Sequence, residues 1–394
     1  MVKYLSFLVA TLLASSAVIA HPGHDVTEEA AERAEFFKRN PKTLRSCTSA
    51  LRKRGQDSTN VARRRALADD LRKRRGLARK PLVHRRDFST YNFTHEDVES
   101  SMTLDVDETV LFVDNSSCAL QTDVTQGPYF VKGELILQNL VEDQEGVPLT
   151  LDIQVIDTTT CEPIPALYVD IWHCNSTGVY SGVVASGNGN NSDATNLNQT
   201  FLRGIQLTDT NGVAQFDTLF PGHYTGRANH IHVLTHNQNS TTVRVNGTLL
   251  NANASANVHA SHVGQLFFDQ DLISQVEAVA PYDTNNQELT LNSEDSILGS
   301  EADITDPFVE YVWLGNTPQD GILAWISIGI DPTEDEEISS AATYYKDGGV
   351  ASDDSDAMGG GGGGAGGNPP NGTAAGQGEP RGSMQASGSS QPTA

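Results

Sequence analysis

Between roughly residues 100 and 345 the chain is written as short apolar runs separated by turn residues. The clearest runs are Leu149 to Ile156, Leu167 to Trp172, Ala214 to Phe220, His230 to Leu234, Thr241 to Val245 and Ile322 to Ile328. Each is β-branched or aromatic in character and short, which is the signature of strands. Asn211-Gly212 and Asn246-Gly247 are hairpin signals, because both residues tolerate the positive φ that tight hairpin turns require. Long helical periodicity is absent from this stretch. A mainly β region of this size can bury one core, so the pattern predicts an antiparallel β-sandwich over residues 100–345.

The flanks read differently. Residues 21–99 form a basic arm, with 19 basic and 8 acidic side chains between residues 21 and 86 and helix-friendly stretches at Glu28 to Lys38 and Ala62 to Arg75. From Asp87 onward there are 42 acidic residues against six basic ones, so arm and body attract each other. Lys53-Arg54, Lys73-Arg74-Arg75 and Arg85-Arg86 are dibasic sites of the kind that secretory proteases cut. The arm is therefore either a propeptide or a docking segment. Residues 346–394, with Gly359 to Gly364 unbroken, are too poor in apolar side chains to fold and read as a disordered tail.

Residues 1–20 read as a signal peptide: Lys3, an apolar run from Leu5 to Ile19, and the small-residue cleavage pattern Val18-Ile19-Ala20. That run is too short for a membrane span, and no other stretch is long enough, so no membrane partner is expected. Export also makes nucleic acid an improbable partner for the basic arm. Nine Asn-x-Ser/Thr sequons, at Asn92, Asn115, Asn175, Asn190, Asn198, Asn239, Asn246, Asn253 and Asn371, agree with a secreted glycoprotein. Four cysteines, Cys47, Cys118, Cys161 and Cys174, allow three complete pairings. Cys161 and Cys174 fall at opposite ends of an extended segment, roughly 20 Å apart, so pairing of either with Cys118 is favoured over their pairing with each other, and the four are read as structural disulfides or buried thiols.

Candidate chemistry centres on four side chains. His230 and His232 flank Ile231 in a strand-like run, and residues i and i+2 share a face, so both imidazoles reach one point. Tyr180 and Tyr224 supply phenolate oxygens, hard anionic donors suited to a hard trivalent ion; two phenolates and two imidazoles point to non-haem Fe(III). A bound cation also holds phenolates ionised far below their usual pKa of ~10. Arg227 lies between two of these residues in a body with few cations, where it serves either an anionic ligand or a structural ion pair. His173 and His223 point away from the other candidates and are read as packing or hydrogen-bonding residues. His236, His259 and His262 lie in polar, sequon-rich surroundings and are expected to be solvated.

Three segments carry a resemblance: Gly127-Pro128-Tyr129, then Asp170-Ile171-Trp172-His173-Cys174-Asn175 with Gly178-Val179-Tyr180, then Pro221 to His232. In this order they resemble the intradiol ring-cleavage dioxygenases, the family of catechol 1,2-dioxygenase and protocatechuate 3,4-dioxygenase, and in particular its secreted fungal branch. The likeness covers roughly residues 120–335. It implies that Tyr180 and His230 are equatorial iron ligands and that Tyr224 and His232 are the axial pair, with hydroxide in a fifth position. It further implies that Arg227 lies over a bound catecholate, that Gln265 is an active-site glutamine, and that Tyr129 approaches the substrate. The reaction so implied opens a small catecholic ring between its two hydroxyl-bearing carbons with O2, giving a muconate-type diacid.

Departures from the family leave alternatives. The basic arm is too charged to stand for the helical dimerisation domain of the intracellular enzymes, and the Tyr224 to Arg227 spacing is short, so the identity of the catechol stays open. A secreted β-sandwich binding module, or an inactive descendant, would share the export signals. A cupin would also use His-x-His, but Val233 to Thr242 lacks the glutamate that cupins add.

Overall fold

The computed structural model describes residues 44–77, 118–119, 127, 129–185, 188–190, 193–236, 241–243, 247–251, 258–302, 305–338, 340–345 and 347–352. The signal peptide, the helix expected at Glu28 to Lys38 and most of the Gly-rich tail lie outside the described residues. Among the described residues, no helix is long and apolar enough to cross a membrane.

The architecture is mainly β. Nine strands build its two principal sheets: β1 (Cys118–Ala119), β2 (Pro148–Asp157), β3 (Tyr168–Trp172), β4 (Arg203–Leu207), β5 (Val213–Leu219), β6 (His230–His236), β7 (His262–Phe267), β8 (Glu310–Trp313) and β9 (Ile322–Ile330). The first sheet runs β1-β9-β2-β5, with β8 also paired to β9; the second runs β7-β6-β3-β4. Alternation along the strands explains the sandwich. Leu149, Leu151, Ile153 and Val155 of β2 and Ile322, Ala324, Ile326 and Ile328 of β9 meet Val169, Ile171, Ile231 and Val233 of the second sheet in one buried core.

The expected mainly β sandwich is present, with two differences of detail. The second sheet is antiparallel, but the long central pair of the first, β2 with β9, runs parallel from Ile322 opposite Leu149 to Ile330 opposite Asp157. Parallel partners need a crossover, and the entire second sheet lies between them in the chain. The turn at Asn211-Gly212, with Gly212 at φ 72°, does not close a hairpin within one sheet; it carries the chain from β4 in the second sheet to β5 in the first.

The outward residues of the first sheet receive the basic arm. Helices α1 (Thr48–Lys53) and α2 (Gln56–Arg74) are joined at Gly55, and the second corresponds to the helix expected from Ala62. Ala68 and Leu71 pack with Leu323 and Trp325. Arg64, fully buried, lies 5.4 Å from the centre of the Trp325 ring. Asp152 receives Arg63 at 2.8 Å and Arg64 at 3.4 Å, and Asn60 donates to Gln154 at 2.7 Å. Burial pushes the Asp152 carboxyl up, but hydrogen bonds and charge from Arg63, then Arg64, outweigh it and hold the group below the usual carboxylate range.

Cysteine pairing is also corrected. Cys47, in the arm just before α1, is disulfide-bonded to Cys161, with Cα atoms 5.3 Å apart, and Cys174 is a buried free thiol. Neither Cys161 nor Cys174 pairs with Cys118. The sequence could not show that the arm folds back beside the turn after β2, which brings together residues separated by 114 positions.

Candidate functional site

On the second sheet, the faces turned away from the core form one polar and aromatic surface. Ile231 and Val233 point into the sandwich, so His230 and His232 point out, as their spacing predicts. The register then lines up a cross-strand row: Gln265 of β7 lies opposite His232, His232 opposite Trp172 of β3, and Trp172 opposite Arg203 of β4. Directly opposed residues share a face, so four strands contribute to one patch.

The tyrosines arrive from loops. Tyr180 follows a turn that needs Gly178 at φ 81°, where a Cβ would lie 2.3 Å from the His223 carbonyl oxygen. Its peptide is then clamped: the Tyr180 amide donates to Asn188 Oδ1 at 2.8 Å, and Asn188 and Asn196 Nδ2 donate to the Tyr180 carbonyl at 2.9 and 2.7 Å. Tyr224 comes from the tight turn that closes on Arg227, with Gly226 at φ 94°.

All four side chains converge. His230 Nε2 lies 3.2 Å from His232 Nε2, 3.3 Å from the Tyr224 hydroxyl and 3.4 Å from the Tyr180 hydroxyl. His230 Nδ1 donates to the Ala228 carbonyl at 2.6 Å, which leaves Nε2 as the bare nitrogen facing the tyrosines. Ligands bound about 2.0–2.1 Å from one ion sit roughly 3 Å from one another, so the spacing suits a shared ion. Among the described residues, no group of three or more His, Cys, Asp or Glu side chains forms a metal site. A metal held here therefore requires the phenol oxygens. Burial, above all, pushes the Tyr180 and Tyr224 hydroxyls far above their ordinary range, with Arg227 pulling in the opposite direction. The phenolates need a strong positive charge at this point in order to form.

Aromatic rings wall the quartet. Tyr129 stacks on Tyr180 at 4.5 Å, and Trp172 stacks on His232 at 4.8 Å with 4° between the planes. The Tyr129 hydroxyl, Trp172 Nε1 and Gln265 Nε2 are buried without a hydrogen-bond partner among the described residues. Orphaned buried polar atoms are costly, so three together mark a place suited to a polar ligand.

Arg227 is fully buried, and its Nε lies 2.8 Å from Asp295 Oδ2, while Nη2 donates to Gln265 Oε1. The ion pair expected as an alternative is thus present, and the same guanidinium touches Gln265 beside His232. Asp295 itself had no signal in the sequence: 68 residues separate it from Arg227, and it resembles an ordinary cap of the helix Ser296–Ala302, whose Ile297 and Leu298 amides it accepts. Asn188, Asn196 and the stacking role of Trp172 escaped for the same reason, since only register and loop closure bring them here.

The remaining histidines divide. His173 Nδ1 donates to the Cys174 carbonyl, its Nε2 accepts from Thr218, and burial lowers its pKa to about 4. His223 Nε2 reaches the Gln287 carbonyl, and its Nδ1 lies 2.9 Å from Glu277. His236 and His262 are not solvated. Both are buried on strands, the first 3.2 Å from Asp170 and the second accepting from the Asp331 amide. Strand pairing set their burial, overriding the polar composition around them. The His259 side chain lies outside the described residues.

A family model described as dioxygenase matches residues 125–303. An intradiol ring-cleavage dioxygenase from Tetranychus urticae is 28% identical over 55% of this chain and 96% of that chain, with a TM-score of 0.43. A second dioxygenase of solved structure is 30% identical over the same shares, with a TM-score of 0.40. The dioxygenase domain of a dioxygenase and carbohydrate-binding protein fusion from Streptomyces sp. SirexAA-E is 22% identical over 53% of this chain and 96% of that chain, with a TM-score of 0.31. No curated protein matches. By the family model and by 30% identity across nearly the whole of a relative, this chain belongs to the intradiol ring-cleavage dioxygenases.

Proposed function

We propose that the protein is a secreted non-haem Fe(III) dioxygenase that opens catecholic rings between the two hydroxyl-bearing carbons. The family acts on small catecholic substrates with O2. The observation that carries the finer reading is the convergence of two phenol oxygens and two imidazole nitrogens within 3.2 to 3.4 Å. Tyr180, Tyr224, His230 and His232 would hold the iron, which when bound supplies a Lewis acid and template for the catecholate. One carbon–carbon bond breaks and both atoms of O2 enter the product, so catechol plus O2 balances as a muconate-type diacid with no external reductant.

The chain's own groups have distinct tasks. Tyr224 Oη, ionised where iron is held, would take up a proton from a catechol hydroxyl as the substrate binds. Arg227, held by Asp295, presents a buried positive charge to the negative charge that develops on the ring. Gln265 Nε2 and the Tyr129 hydroxyl donate to substrate oxygen, and the Tyr129 and Trp172 rings exclude water from the reacting face. The Cys47–Cys161 disulfide supports export, because such bonds persist in oxidising compartments.

Oxygen uptake by iron-loaded protein with a panel of catechols, with product identification, tests the reaction. Uptake with a ring-opened diacid is the expected result; absence of uptake across the panel, with iron bound, overturns it. Protein recovered from culture medium should begin at His21 if residues 1–20 are removed on export.

A further inference from the structure

A second buried arginine lies at the end of the cross-strand row, and the roles assigned so far do not use it. Arg203 of β4 is opposite Trp172, and its side chain is 3% exposed. Its guanidinium grips the residue that follows Tyr180: Nε and Nη2 donate to the Ser181 carbonyl at 2.9 and 2.7 Å, and Nε also reaches Ser181 Oγ at 3.0 Å. Ser181 Oγ in turn donates to the Phe201 carbonyl at 2.6 Å. Charge balance comes from Glu134, whose Oε1 accepts from Nη1 at 3.0 Å. Glu134 is itself set against Asp170, and Asp170 lies 3.2 Å from His236 Nε2. A planar fork on one carbonyl is a geometry that lysine cannot reproduce.

We propose that Arg203 is a positioning residue for the metal centre: through Ser181 it fixes the peptide that carries Tyr180 and keeps the Tyr180 hydroxyl within reach of His230 and His232. The proposal rests on the ferric reading above. The amide and carbonyl of Tyr180 are fixed by Asn188 and Asn196, but the next carbonyl is fixed by Arg203, so removal of the fork frees the loop to pivot at Ser181. Partners of this kind typically change metal affinity or activity by 10- to 100-fold.

The test compares Arg203→Lys with wild type after loading both with ferric iron. Lysine keeps a cation beside Glu134 but loses the fork. Wild type should show a visible tyrosinate-to-iron charge-transfer band. The variant, folded by circular dichroism, should show a displaced or weaker band and should release iron to a chelator at least about tenfold faster. Tyr180→Phe with Arg203→Lys should release iron no faster than Tyr180→Phe alone, because the arginine acts through the tyrosine. A folded Arg203→Lys with the wild-type band and release rate overturns the proposal, as does full additivity in the double variant. If Arg203→Lys does not fold, the double change Arg203→Gln with Glu134→Gln, which keeps the buried charge balanced but lacks the fork on the Ser181 carbonyl, should accelerate release in the same direction, and an unchanged rate overturns the idea. A wild type that stays colourless and iron-free removes the ferric reading and this inference together, whereas a coloured wild type with an unaltered variant removes only this inference.

Discussion

Asp295 holds Arg227 through a 2.8 Å contact between Oδ2 and Nε, with both side chains fully buried. The same carboxylate oxygen accepts the Ala228 amide at 2.9 Å, two residues before His230, so one group fixes both the candidate cation and the entrance to the histidine strand. Asp295→Asn keeps the shape and removes the charge. Turnover of a catechol should fall by about 10²-fold, the cost typical of mis-setting one charge-stabilising donor, while iron content stays at the wild-type level. Steady-state kinetics with metal analysis reads both.

The pH dependence of stability follows from the same pair and from Asp152. Burial raises each carboxyl, but Arg227 for Asp295 and Arg63 for Asp152 more than compensate, so both are held below the ordinary value of 3.8. A depressed folded pKa contributes stability above the unfolded value and loses it as pH falls through the folded one. Chemical denaturation at pH 7 and at pH 3 should show that loss, and Asp152→Asn should reduce it. At neutral pH, Asp152→Ala, which strands the buried Arg64 and removes the partner of the partly buried Arg63, should cost about 3–5 kcal/mol without altering turnover of the folded fraction.

Tyr224→Phe removes one phenol from the quartet while leaving the ring that meets His230 edge-on at 5.8 Å. Iron-loaded variant should lose part of its visible absorption and at least about tenfold of its turnover, because both a ligand and a proton acceptor are gone. An unchanged spectrum and rate would remove Tyr224 from the proposed ligand set.

Tyr129→Phe separates binding from folding. The hydroxyl is buried and has no hydrogen-bond partner among the described residues, so its removal should stabilise the unliganded protein by about 1 kcal/mol. The same change should raise KM for catechol if that hydroxyl donates to substrate. Thermal denaturation and kinetics on one preparation check the two opposite signs.

Cys47→Ser tests the covalent tie between arm and sandwich. Closing a loop of this length is worth about 4–5 kcal/mol in the chain-entropy account, so the variant, or the reduced wild type, should melt lower by a clear margin. Cys174 should stay unreactive to thiol reagents until unfolding, because burial raises its pKa strongly.

The sequence by itself determined the strand content, the shared face of His230 and His232, the family, and the candidate quartet, because each depends on local period or on a motif contiguous in the chain. Tertiary structure decided the parallel pairing of β2 with β9, the Cys47–Cys161 bond, the burial of His236 and His262, and the partnerships of Arg227 with Asp295 and Arg203 with Ser181. Those contacts join residues far apart in the chain. Their geometry is set by strand register and loop closure, which the burial of the whole core selects and no short stretch of residues encodes alone.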